Sequence, residues 1–200
     1  MSGEPPLRGW SALQALGRAM LRLTGWRIVG EVPREPKFVA IVAPHSSNWD
    51  FPVGVMAMFA LDLDVHWFGK ETLFHWPAGP ILRRLGGRPV RRETSEGVVA
   101  EIASAVRASD KFILALAPEG TRKRVAAWRT GFYHIAEQAQ VPIVPVRLDW
   151  GRREIGIGAP MRASGDLAAE MAALQACYTP EMAYRPASFW GPRTAEPQRE

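Results

Sequence analysis

Three features of this sequence predict an α/β fold, a mostly parallel central sheet flanked by helices. Short strand-like runs recur at 37–43 (KFVAIVA, rich in β-branched residues), 64–68, 111–117 and 141–148. Segments with helical spacing lie between them. Proline closes two of the runs, at Pro44 and Pro118. Strands that alternate with helices favour parallel pairing through crossover connections.

The elements follow in order. Pro5-Pro6 closes a short polar leader. Leu7, Trp10, Leu13, Leu16, Met20, Leu21 and Leu23 then recur at helical spacing, with Arg8, Arg18, Arg22 and Arg27 among them. This predicts an N-terminal amphipathic helix to about residue 24, with Trp10 and Trp26 near its ends. Such a helix can lie in a membrane interface or pack on its own domain, and both readings stay open. A short strand is expected at 27–32. The run 37–43 is apolar throughout, as a strand buried on both faces would be. Helices are expected at 47–61 and 77–85, the second stopped by Gly86-Gly87. Val98, Ile102, Ala105 and Val106 mark a helix over 94–108, and another covers 131–140. Pro142 and Pro145 predict that the strand at 141–148 is an edge or bulged strand. A last strand (154–157) and helix (165–178) precede a tail rich in Pro, Arg and Glu. The expected division is an N-terminal interface helix (1–29), one domain (30–185) and a loose tail (186–200).

Composition narrows the function. A chain of 200 residues with 47% hydrophobic content suits one folded domain and excludes a disordered chain. The single cysteine, Cys177, cannot form an internal disulfide, and no Cys/His cluster has zinc spacing, so no structural zinc site is expected. The formal charge is +5, mostly arginine, which favours phosphate-bearing partners. No ribonucleoprotein or helix-turn-helix signature is present, so an anionic membrane is preferred to nucleic acid. There is no signal-peptide pattern and no apolar run of about 18 residues, so a peripheral protein is expected.

Three segments carry candidate chemistry. In Pro44-His45-Ser46-Ser47-Asn48-Trp49-Asp50, His45 stands just beyond a strand's carboxyl end, where open α/β sheets place ligands. If Asp50 accepts from one ring nitrogen, the other is free to take a proton. No Gly-x-Ser-x-Gly elbow supplies a nucleophile, and Ser46 and Ser47 suit helix capping better. A substrate hydroxyl is then the group deprotonated. Pro118-Glu119-Gly120-Thr121-Arg122 follows the strand at 111–117. Its glycine permits a tight turn, and Arg122 offers a planar fork for phosphate. Lys70, with the arginines of 83–92, could converge on one anion or form a solvated basic face.

Taken together, these segments resemble the glycerolipid acyltransferase family of the lysophosphatidate acyltransferase type. His45 and Asp50 match its His-x4-Asp motif. Lys70 and Gly86-Gly87-Arg88-Pro89-Val90-Arg91-Arg92 look like its second block, Pro118 to Arg122 its third, and Val141 to Val146 its fourth. The resemblance implies a glycerol-phosphate acyltransferase-like fold, with His45 as general base for a lysolipid hydroxyl such as that of 1-acylglycerol-3-phosphate. It implies that Lys70, Arg92, Glu119, Gly120, Thr121 and Arg122 hold the acceptor. Acyl-CoA or acyl-acyl carrier protein would be the co-substrate, with no cofactor, at the cytoplasmic face of a membrane in phospholipid biosynthesis. Pro44 stands where many relatives have Asn, which leaves other acceptors, such as lyso-ornithine lipid, open. Two rivals remain: a non-catalytic basic membrane-binding module, and a thioesterase that activates water.

Overall fold

The computed structural model describes residues 3–90 and 95–190. Seven strands form one sheet: β1 (Arg27–Val29), β2 (Lys37–Ala43), β3 (Val65–Lys70), β4 (Gly87–Val90), β5 (Phe112–Leu116), β6 (Ile143–Asp149) and β7 (Glu154–Ile157). Their order is β1-β7-β6-β2-β5-β3-β4. Only the β6–β7 ladder is antiparallel among the described residues, and the rest are parallel. The expected fold class is therefore the one observed.

Strand alternation divides the core. Val39, Ile41 and Ala43 of β2 pack on one face of the sheet, and Phe38 and Ala40 on the other. The first face is covered by α4 (Ser95–Ala108), α5 (Gly131–Ala139) and α6 (Leu167–Gln175). The second is covered by α2 (Asp50–Ala60), with α1 (Ser11–Leu23) packed outside it. A third short helix, α3 (Ala78–Arg84), precedes β4. The α2 sequence DFPVGVMAMFA is apolar almost all round because the sheet covers one side and α1 the other.

The α1–α2 contact is close. Trp10 meets Phe59, and Leu21 clusters with Val53 and Ala57, so the two helices run antiparallel. Between them sits Gly17, where a Cβ would come within 2.6 Å of the Ala60 nitrogen. Residues 11–29 are thus built into the fold through α1 and β1. Trp26 does not face outward as an interface anchor. It is buried with its ring edge-on to Trp150, at 5.0 Å. One row of α1, Leu16, Met20 and Leu23, remains exposed. No described helix is long and apolar enough to cross a membrane.

Other expectations differ from the structure. β6 is interior, between β7 and β2, not an edge. Pro142 lies just before it, and its carbonyl accepts from the Val39 amide. The Pro145 carbonyl accepts from Gly158 at the outer end of the short β7 ladder. Both backbone groups of a strand residue face the same neighbour, so the missing N–H falls where that ladder ends. Residues 87–90 form β4, an edge strand beside β3 that tolerates Pro89. The first helix starts at Ser11 rather than near residue 7, and the second at Asp50 rather than near residue 47. Of the expected tail, residues 191–200 lie outside those described, and residues 186–190 are packed on the domain. They carry a 3-10 turn, Pro186–Ser188, and Trp190, whose ring lies 4.6 Å from that of Trp128.

Candidate active site

His45 follows β2 and Pro44, and residues 47–49 turn the chain into α2, which opens with Asp50. Asp50 is only 2% exposed. Its Oδ2 accepts from the Ser47 amide at 2.7 Å and lies 3.4 Å from His45 Nδ1. Its Oδ1 accepts from the Trp150 indole N–H at 2.8 Å. A buried carboxylate requires such donors, because unpaired charge away from water is costly. The three contacts fix Asp50 and turn Nδ1 of His45 towards it. Nε2 is then the nitrogen left to take a proton.

Glu119 lies beyond β5, the neighbour of β2, and is 4% exposed. Both of its carboxylate oxygens accept from the His45 amide, each at 3.0 Å. Burial pushes its carboxyl up to about 7, against the lowering effect of the His45 amide and ring, and the Asp50 charge adds to the rise. Two carboxylates therefore grip one histidine. Asp50 faces the ring, and Glu119 holds the backbone.

Gly120 makes this approach possible. Its φ is +65°, and a Cβ there would meet Arg129 Nε at 2.9 Å. Thr121 Oγ1 accepts from the Lys123 amide at 3.3 Å, so that hydroxyl shapes the turn. Arg122 donates to Asn48 Oδ1, which ties the third block to the loop of the first.

A cleft of about 190 Å³ opens here, lined by Ser46, Ser47, Asn48, Trp49, Arg122, Tyr184 and Arg185. Ser46 Oγ accepts from the Arg185 amide and Ser47 Oγ from the Trp49 amide, at 3.2 and 3.1 Å. Neither serine caps α2, whose N-cap residue Trp49 makes no side-chain cap. The serines brace the loop instead. A larger hollow of about 460 Å³ lies between residues 31–35 and 157–160 and contains none of these groups.

The structure brings together His45, Asp50, Glu119, Gly120, Thr121 and Arg122. Lys70 ends β3 at the same carboxyl edge and is exposed, but it does not line the cleft. Arg92 lies outside the described residues. Sequence reasoning missed Trp150, Tyr184 and Arg185. They reach the site across 100 or more residues, and no local pattern marks them. Among the described residues no cluster of His, Cys, Asp or Glu could hold a metal ion.

Known proteins share sequence and fold with this chain. The 1-acyl-sn-glycerol-3-phosphate acyltransferase alpha of Homo sapiens is 30% identical over 125 residues, covering 57% of this chain and 41% of the human protein. The Ovis aries protein of the same name is also 30% identical over 125 residues, with 40% of it covered. The chain thus spans about two fifths of the length of the curated relatives it matches. The crystal structure of the 1-acyl-sn-glycerophosphate (LPA) acyltransferase PlsC from Thermotoga maritima superposes with a TM-score of 0.57 at 19% identity, covering 84% of this chain and 75% of that one. That likeness shows a shared fold. The family model described as Acyltransferase matches residues 27–149, from β1 through β6, and so takes in His45, Asp50 and Glu119. With more than half of its length matched, the chain belongs to the acyltransferase family.

Proposed function

We propose that the protein moves a fatty acyl group from acyl-CoA or acyl-acyl carrier protein to the hydroxyl of a lysolipid such as 1-acylglycerol-3-phosphate, in phospholipid biosynthesis. The observation that carries this reading is the His45–Asp50 pair, on a carboxylate clamped by Ser47 and Trp150. The acceptor hydroxyl gives its proton to His45 Nε2 as its oxygen bonds to the thioester carbonyl carbon. Asp50 stabilises the imidazolium that forms. The C–S bond then breaks, and the departing thiolate takes the proton from His45. The steps need neither metal nor cofactor.

General-base catalysis contributes roughly 10²–10⁴-fold, so holding donor and acceptor together must supply much of the rest. In this reading Arg122 grips the acceptor beside His45, Lys70 adds positive charge at the same edge, and Arg92 is a further acceptor-binding residue. Glu119 acts through the His45 backbone, with Gly120 and Thr121 shaping the turn that places it. The exposed row Leu16, Met20 and Leu23 supports peripheral attachment at the cytoplasmic face of an anionic membrane.

The test is a transfer assay with labelled acyl-CoA, acyl-acyl carrier protein and a panel of lysolipids that includes lyso-ornithine lipid. Acylated product from wild type and none from His45→Ala supports the reading. Free fatty acid as the sole product would point to a thioesterase instead.

A further inference from the structure

The cleft lined by Ser46, the residue after His45, has one wall that the family match does not reach. Residues 179–190, after α6, cross the carboxyl edge of the sheet as a strap. The strap is firmly seated. The Trp150 amide donates to the Met182 carbonyl at 2.9 Å, and the Tyr184 ring packs edge-on to Trp150 at 4.7 Å. Ala183 is 4% exposed, and Trp190 packs on Trp128 and Tyr178. The Arg185 amide donates to Ser46 Oγ, one residue from His45. Arg185 is thereby fixed at the cleft by its backbone, while its side chain is exposed.

The lining has a distinct charge pattern. Arg122 enters from the β5 side and Arg185 from the strap. No acidic residue lines the cleft. Glu181, the only acid of the strap, bonds to Thr179 instead. The other polar groups are Ser46, Ser47 and Asn48, and both serine oxygens already accept from amides. Arg122 already donates to Asn48 Oδ1, and two arginines in a lining without a carboxylate suit a phosphate, which accepts from planar forks. The volume of about 190 Å³ is below the roughly 300–1,000 Å³ of pockets that take drug-sized ligands, so a headgroup fits and an acyl chain does not.

We propose that Arg185 is an acceptor-binding residue, which with Arg122 forms a two-arginine site for the phosphomonoester of the acceptor headgroup. The assignment of the phosphate to an acceptor rests on the acyl-transfer reading. The binding itself does not.

Phosphate could also arrive on the donor, as the 3′-phosphate of CoA, so the test separates the two. Glycerol 3-phosphate and adenosine 3′,5′-bisphosphate are titrated calorimetrically into wild type, Arg185→Gln and Arg185→Lys. The backbone bond to Ser46 survives both changes, and melting curves check the fold. Arg185→Gln should weaken glycerol 3-phosphate about tenfold to hundredfold, the worth of one charge-assisted hydrogen bond, with Lys in between. Adenosine bisphosphate should bind all three alike. In the transfer assay Arg185→Gln should raise KM for a phosphate-bearing acceptor while leaving donor KM unchanged. Equal glycerol 3-phosphate affinity in all three proteins, no binding by wild type, or an effect confined to adenosine bisphosphate would each overturn the proposal. Unchanged acceptor KM in an active enzyme would refute Arg185 and leave acyl transfer standing. Weakened binding in a protein that acylates nothing would do the reverse.

Discussion

The amide of His45 donates to both oxygens of the Glu119 carboxylate, at 3.0 Å each. This joins the ends of two neighbouring strands, β2 and β5, at the residue proposed as the base. Glu119→Ala would strand a shielded N–H and release the loop, at a cost of about 1–3 kcal/mol. Loss of kcat should exceed any rise in acceptor KM. A KM effect alone would mean that Glu119 touches the acceptor instead.

The same carboxyl gives stability a pH signature. Burial raises it to about 7 from an ordinary value of 4.5. Between those values the unfolded chain releases the proton and the folded chain keeps it. Stability therefore falls as pH rises through that window, by about 3 kcal/mol in all, and below the window the two states hold the proton alike. Denaturant melts of wild type and Glu119→Gln should diverge towards high pH in favour of Gln. Parallel curves would contradict the shift.

Asp50→Asn should not be a mild change. Oδ2 faces the Ser47 amide and Oδ1 the Trp150 indole, both of them donors. Whichever way the new amide turns, its NH₂ meets an N–H. We expect a loss of about 1–3 kcal/mol and a drop in kcat/KM approaching that of His45→Ala, roughly 10²–10⁴-fold. A fully active, fully stable Asn variant would remove Asp50 from the mechanism.

Trp150→Phe keeps the ring contacts to Trp26 and Tyr184 but deletes the donor to Asp50. Asp50 then gains freedom to leave His45. Activity should fall about tenfold or more, with the fold intact by circular dichroism and the pH–rate profile displaced. A purely structural tryptophan would leave the profile in place.

Replacing Leu16, Met20 and Leu23 together by Glu tests the outer row of α1. These side chains are exposed, so melting should change little, while co-sedimentation with anionic vesicles should drop several-fold. Undiminished binding would move the attachment elsewhere on the surface.

Much of this architecture was legible in the chain. KFVAIVA reads as a strand covered on both faces, and His45 and Glu119 stand just past two such runs, so their meeting at one edge follows from parallel pairing. The failures have physical reasons. Pro145 suggests an edge, yet its lost donor falls at the end of a short ladder. β4 holds four residues, with Gly87 and Pro89 among them, too few for any period to emerge. Trp150 and Arg185 act on Asp50 and Ser46 from 100 and 139 positions away, and only tertiary packing makes such pairs.

The β6–β7 hairpin has a consequence for how this fold can vary. Asp149 pairs with Glu154, so four residues, 150–153, make the connection. Surface connections of this kind ordinarily accept added residues with little penalty. Here the first of the four is Trp150, whose indole holds Asp50 and whose backbone holds the strap. A single residue inserted between positions 149 and 151 would swing the indole off the carboxylate and free the far wall of the cleft together. Length at this hairpin is thus a working dimension of the candidate site.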